Sequence, residues 1–316
     1  MPVSSLLLQT SPAAQALVPE LGLVCITTSQ AVRYKTLTRK RLLLMSPAEQ
    51  TEALRSLYAE NLRRLHLALT FCQEQGIRLY RLPSSLFPFA DMDVGRAVLE
   101  ELVEPLAQVG QRAGELGLRL VLHPEQFVVL NSDSPTVIEN SITVLSALAY
   151  QFDLMGLPQS PWTVMNIHGG KGNRAERLVQ TIRDLPETIR ARLTLENDEH
   201  TYSAAEIFDI CRAAQVAMVF DAHHHLVHEQ LESYDDPSVA EMVAAAKTTW
   251  PDPSWQMVHI SNGRESLRDP RHSDVIWTMP EAFRQVPWIE VEAKSKEDAI
   301  AKLRQEWLPV LSPNAP

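Results

Sequence analysis

Carboxylates and imidazoles follow short apolar runs throughout this chain of 316 residues. In the middle, the run 216–220 leads directly into Asp221-Ala222-His223-His224-His225. An apolar run of this length is typical of a buried parallel strand, which would place the residues that follow it at the carboxyl edge of a sheet. The same pattern recurs in runs that end at His123, His168, Glu196 and Glu292, and His259 lies next to the end of a sixth run. This recurrence indicates an active site assembled from strand ends.

The apolar runs alternate with helical segments. Strands are predicted at 21–26, 77–82, 118–122, 162–167, 192–195, 216–220, 256–260 and 288–291. Ser46-Pro47-Ala48-Glu49 and Ser203-Ala204-Ala205-Glu206 are capping boxes, so helices are predicted to begin there. Residues 94–116 are predicted as one helix and 27–44 as a long loop. Eight strand–helix alternations predict an α/β fold, a single (β/α)8 TIM-type barrel with long βα loops, over residues 21–308. An N-terminal arm of 1–20 and a C-terminal tail of 309–316 would flank it.

Eight residues are the candidate metal ligands, because catalytic groups of such barrels come from the carboxyl ends of several strands. They are His123, His168, Glu196, Asp221, His224, His259, His272 and Glu292. Eight groups exceed the needs of one tetrahedral site, so we expect two or three divalent ions bridged by Glu196 and Asp221. One strand-end histidine alone would more often be structural, and His223, His225 and His228 are interpreted so. Mixed imidazole and carboxylate ligands suit manganese, zinc or iron, and the sequence leaves that choice open.

A multi-metal site beside basic loops suits phosphodiester hydrolysis. Lys171, in a Gly-rich turn that opens a helix, is placed to contact a phosphate. Catalysis is therefore assigned to Glu196, Asp221, His259 and Lys171. Candidate DNA contacts are Arg33, Tyr34 and Lys35 in the first basic cluster, Arg264 in a later one, and the pair Gln126 and Phe127, which could wedge into a base stack. For the first cluster a solvated loop is an equal alternative.

Composition limits the other functions. The formal net charge of -10 argues against a nucleic-acid partner unless local basic clusters supply the contacts. No apolar run approaches the roughly 20 residues of a membrane span, and the start of the chain lacks the basic region of a signal peptide. Three scattered cysteines favour reduced thiols over disulfides. These features predict a cytoplasmic protein that acts at the nucleoid, without a membrane partner and as a monomer.

The chain resembles the UV damage endonuclease family from about residue 21 to 301. The matching stretches are Leu21-Gly22-Leu23-Val24-Cys25, Tyr80-Arg81-Leu82-Pro83-Ser84-Ser85, His123-Pro124-Glu125-Gln126-Phe127, Asn166-Ile167-His168-Gly169-Gly170-Lys171, Leu195-Glu196-Asn197-Asp198, Asp221-Ala222-His223-His224, Arg271-His272-Ser273-Asp274 and Glu292-Ala293-Lys294. The resemblance implies a (β/α)8 barrel with up to three divalent ions, usually Mn²⁺, with Zn²⁺ or Mg²⁺ as alternatives. It also implies incision of double-stranded DNA on the 5′ side of UV lesions, both cyclobutane dimers and 6-4 photoproducts, as the first step of excision repair.

The resemblance also carries roles to single positions. The eight candidate ligands fall on the family's metal ligands, and Gln126 and Phe127 fall on its probing pair, with Phe in place of Tyr. Leu23 stands where an aromatic probing residue is often found. Met92 replaces an expected His, where the neighbouring Asp91 would offer an oxygen instead, and Met257 replaces an expected Lys.

Three alternatives to a UV-lesion endonuclease stay open. Two are enzymes built on the same kind of barrel, an abasic-site endonuclease and a metal-dependent sugar isomerase. The third is a lesion-binding protein with impaired catalysis, which Met92 and Met257 would explain.

Overall fold

Eight parallel strands close into a barrel in the order in which they occur along the chain. The computed structural model describes residues 17–308. The strands are β1 (Glu20–Val24), β2 (Leu79–Leu82), β3 (Arg119–Leu122), β4 (Met165–His168), β5 (Leu193–Glu196), β6 (Ala217–Asp221), β7 (Met257–Ile260) and β8 (Trp288–Val291). The predicted (β/α)8 barrel is confirmed, and all eight predicted strands form. The predicted tail of 309–316 and the arm up to residue 16 lie outside the described residues.

Eleven α-helices of the described residues connect the strands or cover them. They are α1 (Arg39–Leu43), α2 (Pro47–Glu74), α3 (Asp93–Glu100), α4 (Val103–Glu115), α5 (Pro135–Leu154), α6 (Ala175–Asp184), α7 (Glu187–Arg190), α8 (Ala204–Ala214), α9 (Ala222–His228), α10 (Pro237–Lys247) and α11 (Lys296–Glu306). Short 3-10 helices occupy Pro253–Trp255 and Glu281–Gln285. None of the helices in this part of the chain combines the length and apolar character needed to cross a membrane.

Two helix starts show how the sequence fixes the elements. The Ser46 and Ser203 side chains accept hydrogen bonds from the backbone N–H of Glu49 and Glu206, and each glutamate accepts from the backbone N–H of its serine. Each capping box thereby satisfies two N–H groups that a helix end would otherwise leave without partners. Both predicted helix starts are confirmed.

Two predictions about the helices are wrong. The predicted loop 27–44 contains α1, which Thr38 caps by accepting a hydrogen bond from the backbone N–H of Arg41. The predicted helix 94–116 is two helices, α3 and α4, separated at Glu101 and Leu102. Apolar periodicity continues across that break, so the periodicity alone did not reveal it.

The pairing of neighbouring strands determines which side chains lie in the same layer inside the barrel. His168 is paired with Glu196, Asp221 with His259, and His259 with Glu290. Because side chains alternate between the two faces of a strand, paired residues that point inward lie in one layer. The carboxyl ends of β4 to β8 therefore bring imidazoles and carboxylates to a common level.

The opposite end of the barrel carries a fully buried arginine. Arg119 donates hydrogen bonds from its guanidinium to the backbone carbonyls of Pro161, Trp162 and Trp255, and the guanidinium also lies 5.3 Å from the ring of Trp288. Burial lowers the pKa of Arg119 to about 9. The backbone carbonyls and aromatic faces compensate for this buried cation, which fits the structural role expected at the amino-terminal end of a barrel.

Candidate metal centre

Glu196 lies at the centre of the predicted ligands. Its buried carboxylate is 2.9 Å from His259 Nδ1, 3.3 Å from His123 Nε2, 3.5 Å from His224 Nδ1 and 3.9 Å from His168 Nε2. The side-chain amide of Asn166 donates to the same carboxylate at 2.5 Å. Residues from five strand ends thus meet around a single carboxylate.

The predicted ligands form three overlapping groups that could each hold an ion. The groups are His123, His168 and Glu196, then Glu196, Asp221 and His224, then Asp221, His259 and Glu292, with the ligand atoms of each group within 4.8 Å of one another. Glu196 and Asp221 each belong to two groups, which is the position of a bridging carboxylate. His272 lies beside the third group, with Nδ1 3.9 Å from a Glu292 carboxylate oxygen.

Asp221 and His224 are brought together by the start of a helix. Asp221 ends β6 and caps α9, and its Oδ1 accepts a hydrogen bond from the backbone N–H of His224 at 2.7 Å. The first turn of α9 therefore carries the His224 ring back over Asp221. The other Asp221 oxygen, Oδ2, is buried and has no hydrogen-bond partner among residues 17–308. A buried carboxylate oxygen without a donor suits a cation, so the residues present fit a metal site.

Backbone carbonyls orient two of the imidazoles. His123 Nδ1 lies 2.9 Å from the carbonyl of Pro124, and His224 Nδ1 lies 3.0 Å from the carbonyl of Asn197. Since a carbonyl only accepts, Nδ1 carries a hydrogen in both rings. For His123 this leaves Nε2, which faces Glu196, to bind an ion, the usual arrangement of metal-binding histidines. His224 differs, because its Nδ1 is the atom near Glu196 and its Nε2 lies 3.6 Å from a carboxylate oxygen of Glu199.

Opposing charges shift the pKa values of the site. Burial alone would raise the pKa of Glu196, but the imidazoles of His259 and His168 outweigh it and hold that pKa well below its usual range. Burial also opposes ionisation of His224, yet the carboxylates of Asp221 and Glu196 raise its pKa to about 9. For Asp221 burial dominates, and its pKa is raised. A dense cluster of opposite charges with strongly perturbed pKa values is characteristic of functional sites.

A loop after β7 places His272. Within this loop, Gly263 and His272 form an isolated antiparallel bridge. The backbone at Ser266 packs against Gly263 so closely that a Cβ added to Gly263 would be 2.0 Å from the Ser266 carbonyl oxygen. The loop is therefore tightly folded, although its sequence offers no strand periodicity. It positions His272 on the same cleft as Glu196, His224 and Glu292, and this cleft has a volume of about 500 Å³.

Of the predicted probing pair, Gln126 lines this cleft and Phe127 lines a second pocket. Gln126 and Phe127 follow β3 on an exposed turn, and 65% of the Phe127 surface is accessible. A large aromatic ring with this exposure is available for a contact outside the chain. Two other predicted DNA contacts are less accessible. Leu23 is completely buried, and Tyr34 packs against the core with its hydroxyl 2.7 Å from the Tyr80 hydroxyl.

The predicted basic contacts are not among the residues that line this cleft. Lys171 and Arg174 pair with the Asp133 carboxylate, so the Lys171 ammonium is engaged by a carboxylate outside the ligand groups. Lys35 and Arg264 are exposed, while Arg33 is half-buried and donates to the backbone carbonyl of Val32. The structure therefore does not place Lys171 against the reacting centre.

The two departures from the family pattern lie in different places. Met257 is fully buried and belongs to a small apolar cluster with Leu79 and Trp288. Met92 is half-buried and precedes α3. Asp91 lines a separate pocket with Phe127 and belongs to none of the three ligand groups found among the described residues, so the expected oxygen ligand is not formed there.

Two charged residues of the site were missed by sequence reasoning. Arg81 and Glu290 are both buried, and each contacts His259. Glu290 lies in β8, two residues before Glu292. Because side chains alternate along a strand, the sequence already implied that both point into the barrel. Arg81 lies within the apolar run of β2, where a charge is rare without a partner.

Comparisons with known proteins identify the family and the fold. Residues 19–311 match the model of the family UV-endonuclease UvdE. The chain is 55% identical over 302 residues to a UV DNA damage endonuclease of Nostoc sp., covering 95% of this chain and 94% of that protein. It is 50% identical over 290 residues to a UV DNA damage endonuclease of Deinococcus radiodurans, covering 91% and 95%. A solved structure named SacUVDE superposes with a TM-score of 0.76 at 24% identity, covering 91% of this chain and 98% of the other.

Proposed function

The chain belongs to the UV-endonuclease UvdE family, and on that premise we propose that it is a divalent-metal-dependent endodeoxyribonuclease. It would cut the DNA backbone on the 5′ side of UV photoproducts and so open an excision repair pathway. The observation that carries this proposal is the convergence of six imidazoles and carboxylates on Glu196 in three overlapping groups, with His272 beside Glu292, at an open cleft.

The ligand set supports two or three ions, with Mn²⁺ as the proposed metal. His123, His168 and Glu196 would hold one ion, and Asp221, His259 and Glu292 another, with Glu196 and Asp221 as bridges. Glu196, Asp221 and His224 would hold a third, and His272 would join the ion beside Glu292. When bound, such ions lower the pKa of water and stabilise charge on phosphoryl oxygens.

Neighbouring amides keep the bridging carboxylates in place. Asn166 donates to Glu196 and accepts in turn from the Thr194 hydroxyl at 2.8 Å. Asn197 accepts from the backbone N–H of Asp221 at 3.0 Å and donates to its backbone carbonyl at 2.9 Å. The first pair of bonds holds the Glu196 carboxylate and the second holds the Asp221 backbone before an ion or substrate arrives, which lowers the cost of organising the site.

Recognition of the duplex is assigned to the rim. Phe127 would enter the base stack at a distorted lesion while Gln126 contacts base edges exposed there. Damaged base pairs are cheaper to unstack, so distortion would select the substrate. Lys35, Arg264 and Lys171 would contact phosphates around the cleft, and the chain would act on duplex DNA as a monomer.

The test is a cleavage assay on end-labelled duplexes that are intact, UV-irradiated or abasic, with Mn²⁺ present and the cut mapped to the nucleotide. We expect one cut immediately 5′ of the photoproduct. Glu196→Gln should abolish it, whereas the control variant Glu20→Gln should cut normally, because Glu20 is half-buried and pairs with Arg78 at the opposite end of the barrel.

Each other outcome points to one of the alternatives. A cut confined to the abasic duplex would identify an abasic-site endonuclease instead. Tight binding of irradiated DNA without a cut under Mn²⁺, Zn²⁺ or Mg²⁺ would identify a lesion-binding protein. Neither binding nor cutting of any duplex would reject a DNA function and leave a sugar isomerase.

A further inference from the structure

His259 lies between two carboxylates inside the barrel. Its Nδ1 faces Glu196 at 2.9 Å, and its Nε2 lies 2.5 Å from a carboxylate oxygen of Glu290. Arg81 Nη2 is also 3.0 Å from Nε2. The guanidinium can only donate, so when Nε2 carries a hydrogen the two groups do not bond, and the Nε2–H donates to the Glu290 carboxylate. Unlike His123 and His224, which carbonyls hold through Nδ1, this ring is held through Nε2.

Arg81 fixes the carboxylate that holds the ring. Its Nε lies 3.0 Å from both oxygens of Glu290, and its Nη2 lies 2.5 Å from one of them. The same guanidinium reaches an oxygen of Glu292 at 2.6 Å. Arg81 therefore joins Glu290 to Glu292, and all three side chains are largely buried.

An apolar layer lies directly beneath these charges. Leu79, Met257 and Trp288 each precede a member of the network by two residues, and the three pack in one cluster. The pairing of β7 with β8 shows the same two layers, since Met257 is paired with Trp288 in the apolar layer and His259 with Glu290 in the charged layer. Side chains two residues apart point to the same face of a strand, so the charged layer lies against an apolar layer to which Met257 contributes.

We propose that Arg81 and Glu290 are positioning residues that fix His259 so that Nδ1, and not Nε2, is presented to an ion. The inference rests on the proposed function, because it assigns to the metal centre a set of residues that are not ligands themselves. Glu290 belongs to none of the three ligand groups of the described chain, and both of its oxygens are already engaged by Arg81 and His259. Carboxylates that hold the second nitrogen of a metal-binding histidine commonly orient the ring and raise its basicity.

The arrangement also gives Met257 a role. A charged side chain at this position would lie in the apolar floor, beside Leu79 and Trp288. Met257 keeps that layer free of charge, and the cation next to the ligands is supplied from β2 by Arg81.

The experiment compares Glu290→Gln with the matched control Glu20→Gln in the full chain. Both changes remove the negative charge of a glutamate paired with an arginine, but Glu20 is half-buried at the start of β1, outside the ligand groups. Mn²⁺ binding is measured by calorimetry, the ligand field by the visible spectrum of the Co²⁺-saturated protein, and the fold by circular dichroism. We expect Glu290→Gln to bind Mn²⁺ about 10- to 100-fold more weakly and to alter the Co²⁺ spectrum, with Glu290→Asp recovering part of the affinity. Glu20→Gln should match the wild type in both measurements.

Several results would overturn the proposal. Wild-type Mn²⁺ affinity and an unchanged Co²⁺ spectrum in Glu290→Gln would reject the positioning role while leaving the metal centre in place. If Glu290→Gln does not fold, Arg81→Lys replaces it in the test. This change keeps the charge but loses the planar fork, so weaker Mn²⁺ binding is again expected and unchanged binding refutes the role. Failure of the wild type to bind either ion would reject the proposed function and this inference together.

Discussion

Metal binding should release protons from the imidazoles of this site. Burial alone would lower the pKa of His259, but the carboxylates of Glu196 and Glu290 outweigh it and raise that pKa well above its usual value. The pKa of His224 is raised to about 9, although burial opposes it, because Asp221 and Glu196 lie close. Both rings are therefore protonated at neutral pH in the metal-free protein. A ring nitrogen binds an ion only after losing its hydrogen, so each ring releases a proton on binding.

The size of the effect follows from the pKa values. A group with a pKa of about 9 is roughly 99% protonated at pH 7, which weakens its apparent metal affinity about 100-fold. His259, whose pKa is also raised, adds a second proton. With two protons released, the overall affinity of the loaded centre should rise by about two orders of magnitude for each pH unit between pH 6 and 8. The metal affinity should rise, not fall, with pH, because the carboxylate of Glu196, whose pKa is lowered, is already ionised in that range and only the imidazoles lose protons.

Calorimetry in buffers of different ionisation enthalpy measures the number of protons released. We expect about two per Mn²⁺-loaded centre at pH 7 from His224 and His259. His224→Gln should reduce the number by one. His225→Gln should not, because burial lowers the pKa of His225 and the ring is neutral at pH 7. An affinity independent of pH, with no protons released, would refute the charge assignment.

Three further predictions concern the fold, the rim and the ions. Gly95→Ala should lower the free energy of unfolding by about 1–3 kcal/mol, since its Cβ would lie 1.9 Å from the Phe89 carbonyl oxygen. Gly114→Ala, a helix position with open space, should instead raise it by about 0.5–1 kcal/mol, and urea unfolding compares the two. Phe127→Ala should reduce nicking of irradiated duplex without changing the Tm, since this ring is exposed; a Tm loss equal to that of a core variant would contradict this. Chelation of the divalent ions should lower the Tm, because an ion at 100 times its Kd stabilises the fold by about 2.7 kcal/mol, and an unchanged Tm would show that no ion is bound.

Features that depend on a few neighbouring residues, such as helix starts, could be predicted correctly from the sequence. The capping boxes at Ser46 and Ser203 lie within four residues each, so both helix starts were visible in the sequence. The spacing of Asp221 and His224 is equally local. What it did not reveal was that a helix begins at once after the strand and turns the ring back over the carboxylate.

The sequence by itself determined that strand ends deliver imidazoles and carboxylates to one end of a closed barrel. It could do so because a buried parallel strand is a short apolar run, and a polar residue at its end marks the edge of the sheet. Only the tertiary structure decided which of those side chains meet and what else meets them. Arg81 and Glu290 are 209 residues apart, so no local pattern could pair them. Burial of Leu23 and the pairing of Lys171 with Asp133 depend in the same way on neighbours distant in the chain, which only the packing of successive elements brings into contact.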